Sequence, residues 1–343
     1  NDNPELNSIQ EAPTDDGMYE TITLKTLDDC AETYNWEQLD FIKLDAEGEE
    51  LRILEGAQST LKRLSPIIMY ELKHADAVNF SLIEQFESTG YQSYYLLPGP
   101  MVLRPFSKAD PVDSFQLNLF AIKNDRAEKL AARGLLVQNL DAPASQTLED
   151  NVSENFWQQS LEKKPFTQPF MDIWKTLADK NRSDSVWQRY TAVLNLYTQS
   201  CSGDATANQR VSSLFHCDAE LRQLSSEVDA FSIRIMHTRI LFELGKREEA
   251  VHNLQHLIGV ATSGANISLD LPFYPVLKRY EDLSPSNDLS NWLLSSILEP
   301  FETQKAFSSY FLGQAALGNL NALQNLEFCD AGIGRRIALL NSL

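Results

Sequence analysis

The sequence predicts an α/β unit followed by an all-α region. Three observations carry this. Apolar strands alternate with amphipathic helices as far as residue 125. Strand signals stop beyond that point. The remainder reads as helices parted by short polar breaks such as Ser200-Cys-Ser-Gly203 and Ser284-Pro-Ser-Asn287. A chain of 343 residues has room for about two domains, and a hydrophobic fraction of 43% is ample for their cores. The expected organisation is an acidic segment at 1–18, an α/β unit at 19–125 and a helical domain at 126–343.

Residues 1–17 are polar, acidic and without aromatics, which predicts a flexible segment. The sequence starts at Asn1 with its first methionine at Met18, so it is expected to be a fragment or processed product lacking upstream sequence. Thr21 to Lys25 alternates weakly like a strand. Thr26-Leu-Asp-Asp29 gives a capping box for a short helix to about Tyr34. Phe41, Ile42 and Leu44 form a short apolar strand at 39–45. From Glu49 to Leu64, Leu51, Leu54, Ala57, Leu61 and Leu64 recur at spacings of three and four, which predicts one helix. Pro66 ends it and opens a buried strand, Ile67-Ile-Met-Tyr-Glu71. Phe80 to Thr89 is helical again and stops at Gly90. Tyr91–Leu97 and Phe115–Lys123 are two further strands, separated by a connection carrying Pro98, Pro100, Pro105 and Pro111. This order predicts a parallel sheet ending in an antiparallel pair. Four or five strands make half of a doubly wound sheet.

The formal charge of −19 is unevenly spread. Residues 1–125 hold 9 Lys and Arg against 23 Asp and Glu, a net of −14, and the rest hold 20 against 25. So acidic a chain argues against nucleic acid or an anionic membrane as partner, because both need basic patches. Cys30, Cys201, Cys217 and Cys329 are scattered without a CxxC pair, which is neither a disulfide framework nor a zinc signature. With no apolar run near membrane-spanning length and no signal segment at the start, a reducing cytoplasm is the expected location.

The chemistry concentrates in Leu39-Asp-Phe-Ile-Lys-Leu-Asp-Ala-Glu-Gly-Glu-Glu50. A strand turns abruptly through Asp45-Ala-Glu47-Gly48 into a helix, and a carboxylate at such a corner faces the crevice above an α/β sheet. Two readings stand side by side. Asp45 and Glu47 are working groups, or they cap the next helix, where a carboxylate contributes roughly 0.3–1 kcal/mol. Gly48 suits close approach of backbone at the turn. Lys43 lies within an apolar strand, where a buried ammonium must be paired, with Glu71, Glu47 or Glu50 as partner. His74, just past Glu71, is the alternative general base, or a solvated loop histidine.

The string Lys43-x-Asp45-x-Glu47-Gly48-x-Glu50, followed by Leu54-x-Gly56-Ala57 and Pro66-Ile-Ile-x-x-Glu71, resembles the FkbM-type family of S-adenosylmethionine-dependent methyltransferases. Thr26-Leu27-Asp28 upstream, and Gly90-Tyr91 and Asn118-Leu-Phe-Ala121 downstream, extend the resemblance over roughly residues 19–124. It implies a Rossmann-like methyltransferase sheet, S-adenosylmethionine as cofactor, and methyl transfer to a hydroxyl of a sugar or natural product. It also implies that Asp45 faces donor and acceptor, orienting the hydroxyl or acting as general base, with Glu47 and Glu50 beside it. The family's glycine-rich first strand and turn, and the acidic residue that ends its second strand, have no counterpart before residue 19, where Gly17 is the one glycine. The resemblance therefore covers the second half of such a sheet, and the cofactor-binding half is expected to be absent from this chain.

Elsewhere the signals are sparse. Arg239–Leu254 and Gly313–Leu326 each carry a Leu-Gly followed by a small residue and a leucine, which resembles the tetratricopeptide helix pair; a plain helical bundle is the alternative. His252 and His256 stand four apart on a helix, but no third ligand is evident and no metal is expected. Tyr91, Tyr94 and Tyr95 could stack on a sugar or pack in the core. No G-x-S-x-G, P-loop or HExxH is present. Two classes of function follow: a methyltransferase acting on a small-molecule or glycan acceptor, or a non-catalytic module whose helical domain holds a protein or carbohydrate partner.

Overall fold

The computed structural model describes residues 22–46, 48–74, 77–78, 80–138, 156–285, 288–307 and 312–342, without the side chains of 73, 74, 77 and 78. The chain divides into two compact units. The first holds residues up to Leu96 with Leu103–Val112 and Gln116–Gln138; the second holds Leu97–Val102, Asp113–Phe115 and the chain from Asn139 onward. A mixed five-stranded sheet followed by a largely helical region is the architecture.

In the first unit, helix α1 (Leu27–Thr33) starts from the expected capping box: Asp29 N–H donates to Thr26 Oγ1, and Thr26 N–H reaches back to the Asp29 carboxylate. Residues 22–25, expected as part of a weak strand, have no regular structure and leave Ile22 and Leu24 exposed. Among the described residues no strand lies beside them to pair with. Strand β1 (Phe41–Leu44) then leads to two helices where one was expected, α2 (Glu50–Glu55) and α3 (Gln58–Leu64). The break has a physical cause. Gly56 lies against Thr26, so close that an added Cβ would meet Thr26 Cγ2 at 3.0 Å. Asp28 donates its N–H to Gly56 O (3.0 Å), and its carboxylate accepts from Ser59 N (3.0 Å) and Thr60 N (2.7 Å). Asp28 thus caps the N-terminus of α3 from thirty residues upstream.

Strand β2 (Ile67–Glu71) follows, then a two-residue ribbon of β3 (Lys73–His74) and β4 (Ala77–Val78) that the sequence did not signal. Helix α4 (Phe80–Ser88), strands β5 (Gln92–Leu97), β6 (Val102–Pro105) and β7 (Asn118–Ile122), and helix α5 (Asn124–Ala132) complete the unit. The sheet order is β1-β2-β7-β5-β6. β1 and β2 are parallel, with Leu44 opposite Tyr70. β7 runs antiparallel to both β2 and β5, so the expected antiparallel end is present but its last strand lies inside the sheet. β6 falls in the proline-containing connection, where Pro105 sits at a strand end and costs no ladder bond.

Alternation along β2 puts Ile68 and Tyr70 on one face, where they meet Leu54, Leu61, Leu82 and Phe86 of the helices. Tyr70 and Phe86 have ring centroids 4.7 Å apart, and the Tyr70 hydroxyl bonds Ser93 Oγ at 2.7 Å. The opposite face packs Tyr94, Leu103 and Ile122 against Ala127 and Leu130 of α5. Arg126 and Lys123 secure the other end of α3: Lys123 Nζ donates to Leu61 O (3.0 Å), and Arg126 donates to Ser65 O (3.0 Å) and Leu64 O (3.3 Å).

The second unit is built from α6 (Phe156–Leu161), α7 (Met171–Lys180), α8 (Ser185–Ser200), α9 (Ala207–Glu227), α10 (Phe231–Glu243), α11 (Arg247–Thr262), α12 (Leu289–Gln304), α13 (Leu317–Asn325) and α14 (Gly332–Asn341). Helices α8 to α12 pack in succession, each on the next. The two Leu-Gly stretches behave differently. Gly245, at φ +76°, turns between α10 and α11, and Ala250 and Leu254 are buried. Leu317-Gly318 instead lies inside the start of α13, after the left-handed Gly313, and Ala322 is exposed. Only the first stretch forms the helix pair that the repeat resemblance implies.

A buried ionic cluster joins distant parts of this unit. The Arg239 side chain, 3% exposed, meets Glu281 (2.7 Å) and Glu243 (3.4 Å) and donates to Tyr197 Oη and Pro275 O, both at 2.6 Å. Lys164 holds the second Glu281 oxygen at 2.8 Å. Replacing Arg239→Ala takes the guanidinium from Glu243 and from the buried Glu281, which keeps Lys164, and is expected to cost about 3–5 kcal/mol in urea unfolding. Retention of wild-type stability would show the cluster to be solvated.

Asp28→Ala is expected to destabilise the first unit by about 0.5–2 kcal/mol, read as a lower midpoint for its unfolding. Burial pushes the Asp28 carboxyl up, but hydrogen bonds from Thr60 and Ser59 outweigh it and hold it below its ordinary 3.8. A depressed folded value means that its stabilisation is complete above that pH and lost as pH falls through the lowered one. The acid limb of the stability curve below 3.8 should therefore be shallower in Asp28→Asn.

Candidate active site

Parallel pairing of β1 and β2 brings their carboxyl ends level, so Asp45, next after Leu44, stands beside Glu71, next after Tyr70. Both expected carboxylates thus occupy the rim where an α/β sheet presents working groups. β1 pairs on one side alone among the described residues, which decides the fate of Lys43. Its side chain is 56% exposed rather than buried, and among the described residues its ammonium reaches Asp45 Oδ2 at 2.5 Å rather than Glu71 or Glu50. The hydrogen bond to Asp45, the Asp45 charge and the nearby Glu71 charge together raise the Lys43 ammonium above its ordinary value. Among the described residues Asp45 Oδ1 carries no hydrogen bond.

The turn after Asp45 is organised by Glu50. Its side chain is turned back to the corner, and Oε1 accepts from Ala46 N (3.0 Å) and Gly48 N (3.2 Å). Glu50 is buried and holds the loop through these two bonds. Gly48 adopts φ +102°, a left-handed conformation that a side chain would strain, which explains the glycine. Asp45 therefore projects from a turn fixed on both sides. It borders a cavity of about 190 Å³ walled by Leu27, Ile42, Leu44, Ile53 and Leu54. A carboxylate at the mouth of an apolar cavity can orient a hydroxyl and accept its proton.

Of the other expected residues, Glu47 lies outside the described residues. So does the His74 side chain, whose backbone pairs with Ala77. Tyr91 and Tyr94 are buried packing residues, and Tyr91 donates to Leu61 O. His252 and His256 lie exposed on α11, and no group of three or more metal-ligating side chains gathers among the described residues. No helix of the described residues is long and apolar enough to cross a membrane. The role of Asp28 was missed, because its partners Ser59 and Thr60 lie a whole strand and helix further on.

The sequence profile of the methyltransferase FkbM domain matches residues 2–93, a stretch containing β1, the Asp45 corner, β2 and the start of β5. No curated protein and no solved structure matches the chain.

Glu50→Ala removes the acceptor of two turn amides, whereas Glu50→Gln keeps an amide oxygen there. Hydrogen exchange at Gly48 N–H is expected to accelerate about tenfold in Glu50→Ala and to change little in Glu50→Gln. Equal protection in all three proteins would show that the turn does not depend on this side chain.

Proposed function

We propose that the first unit works as part of an S-adenosylmethionine-dependent O-methyltransferase, with the Asp45 corner as the acceptor side. The supporting observation is the position of Asp45. It lies inside the matched stretch, at the carboxyl end of β1, on a turn locked by Glu50 and at the mouth of a cavity. Lys43 holds Oδ2 and leaves Oδ1 to meet an acceptor hydroxyl, orient it and take its proton. Glu47 and His74 remain candidates for the same work from the flanking positions.

The described corner does not by itself fit the cofactor. No glycine-rich strand and turn precedes β1 among the described residues, and the 190 Å³ cavity is below the roughly 300–1,000 Å³ of ordinary ligand pockets. What these residues supply is acceptor orientation and proton removal. The apolar wall beside Asp45 suits the non-reacting part of a natural-product acceptor as well as the face of a sugar.

The test is release of S-adenosylhomocysteine by the native protein in the presence of a panel of hydroxyl acceptors. Asp45→Asn is expected to lower the rate about 10²–10⁴-fold while leaving the fold intact by circular dichroism. No turnover with any acceptor, or an Asp45→Asn protein as fast as wild type, would sink the proposal.

A further inference from the structure

The second unit contains a cavity of about 450 Å³ lined by α12, α14 and the Asp330 that precedes α14, within the roughly 300–1,000 Å³ of ordinary ligand pockets. Its chemistry is set by Glu299 of α12, which is 3% exposed. One of its carboxylate oxygens is fully engaged: Oε2 accepts from Arg279 Nη1 (2.7 Å), Tyr280 Oη (2.7 Å) and Asp330 N (3.2 Å). Oε1 accepts nothing among the described residues. It is not sealed in either, since Glu299 lines the cavity and the sealed, unpaired carboxylate oxygen of α12 belongs to Glu302. A carboxylate fixed by three donors, with its other oxygen open to a cavity, is a preorganised acceptor.

Two further acceptors line the same space. Thr303, one turn on from Glu299, spends its hydroxyl hydrogen on the Glu299 and Pro300 carbonyls, which leaves its oxygen to accept. Asp330 uses Oδ1 on Gly332 N (2.6 Å) and is exposed. Three acceptors around one space match the three N–H groups of an ammonium. The cavity also holds cations. Arg335 lines it with neither an ion pair nor a hydrogen bond among the described residues, and Arg336 stands next to it. Two guanidiniums disfavour a simple amine, and two carboxylates disfavour a simple acid. A ligand carrying both charges suits both. Ile333 and Leu339 add an apolar wall, and Leu339 is 51% exposed, a large apolar side chain left uncovered beside the charges.

We infer that this cavity binds a small α-amino acid with an apolar side chain. Its ammonium meets Glu299 Oε1, Thr303 and Asp330, its carboxylate meets Arg335 and Arg336, and its side chain lies against Ile333 and Leu339. The site lies wholly within the second unit and is independent of the Asp45 corner.

Titration of the full chain with L-leucine, isopentylamine and isocaproate, followed by NMR or calorimetry, tests this. Leucine is expected to bind saturably. Isopentylamine, which lacks the carboxylate, and isocaproate, which lacks the ammonium, should bind at least about tenfold more weakly. Arg335→Gln should weaken leucine about tenfold and leave isopentylamine unchanged. Glu299→Gln keeps the shape of the side chain but not its charge, and should weaken leucine and isopentylamine alike. Arg335 is exposed and unpaired among the described residues, so its variant keeps the wild-type Tm and decides the matter if Glu299→Gln unfolds. The inference falls if leucine shows no saturable binding or if either analogue binds as tightly. It falls equally if Arg335→Gln, or a folded Glu299→Gln, binds leucine like the wild type.

Discussion

Helix α3 is seven residues long, too short to be stable alone, and its two ends are completed by residues far away in sequence. Asp28 takes the N-terminal amides, while Lys123 and Arg126 take the C-terminal carbonyls. Each charge has the sign that the helix dipole favours at its end. This one short helix ties the segment before β1 to the segment after β7, with the sheet between them. Leu61 of α3 then packs on Ile68 and Tyr70, so the caps also fix what the sheet packs against. Gly56 belongs to the same constraint, because only its lack of a side chain lets Thr26 approach.

The corner depends on that arrangement. α2 begins at Glu50, whose carboxylate turns back to grip Ala46 and Gly48, and α2 can end at Gly56 because Asp28 restarts the helix beyond it. Asp45 is thus held by a turn, the turn by a buried carboxylate, and the carboxylate by a helix whose far end is clamped. Lys43 is the counterpart on the strand. With no strand on its far side among the described residues, it leans over Asp45 rather than hiding in the core.

Much of this was legible in the sequence. The order of strands and helices, the capping box at Thr26 and the abrupt turn at Asp45 all follow from local patterns, and local patterns survive folding. What escaped was non-local. The single helix expected from Glu49 to Leu64 has the right apolar stripe, yet it is broken by a carboxylate whose claim on Ser59 and Thr60 no periodicity reveals. Lys43 read as buried because its neighbours are apolar; burial of a strand depends on what lies beside it. β6 was hidden by the prolines in and around it, and the second Leu-Gly by a likeness in letters that the backbone does not share. At the corner, residue types pointed to Asp45 and Glu47, with Glu50 beside them. Only geometry separates the exposed carboxylate from the one consumed in holding the turn.

The Arg239 cluster bears on how the helical unit behaves as a material. In a solenoid each repeat contacts only its neighbours, so the array can fray from an end and stability adds up piece by piece. Here Lys164, Tyr197, Arg239 and Glu281 meet around buried charges, although they come from segments more than a hundred residues apart at the extremes. No subset of these segments can bury its charges alone. The helices between Lys164 and Glu281 are thus bound into one cooperative block, closed by a polar lock at its centre.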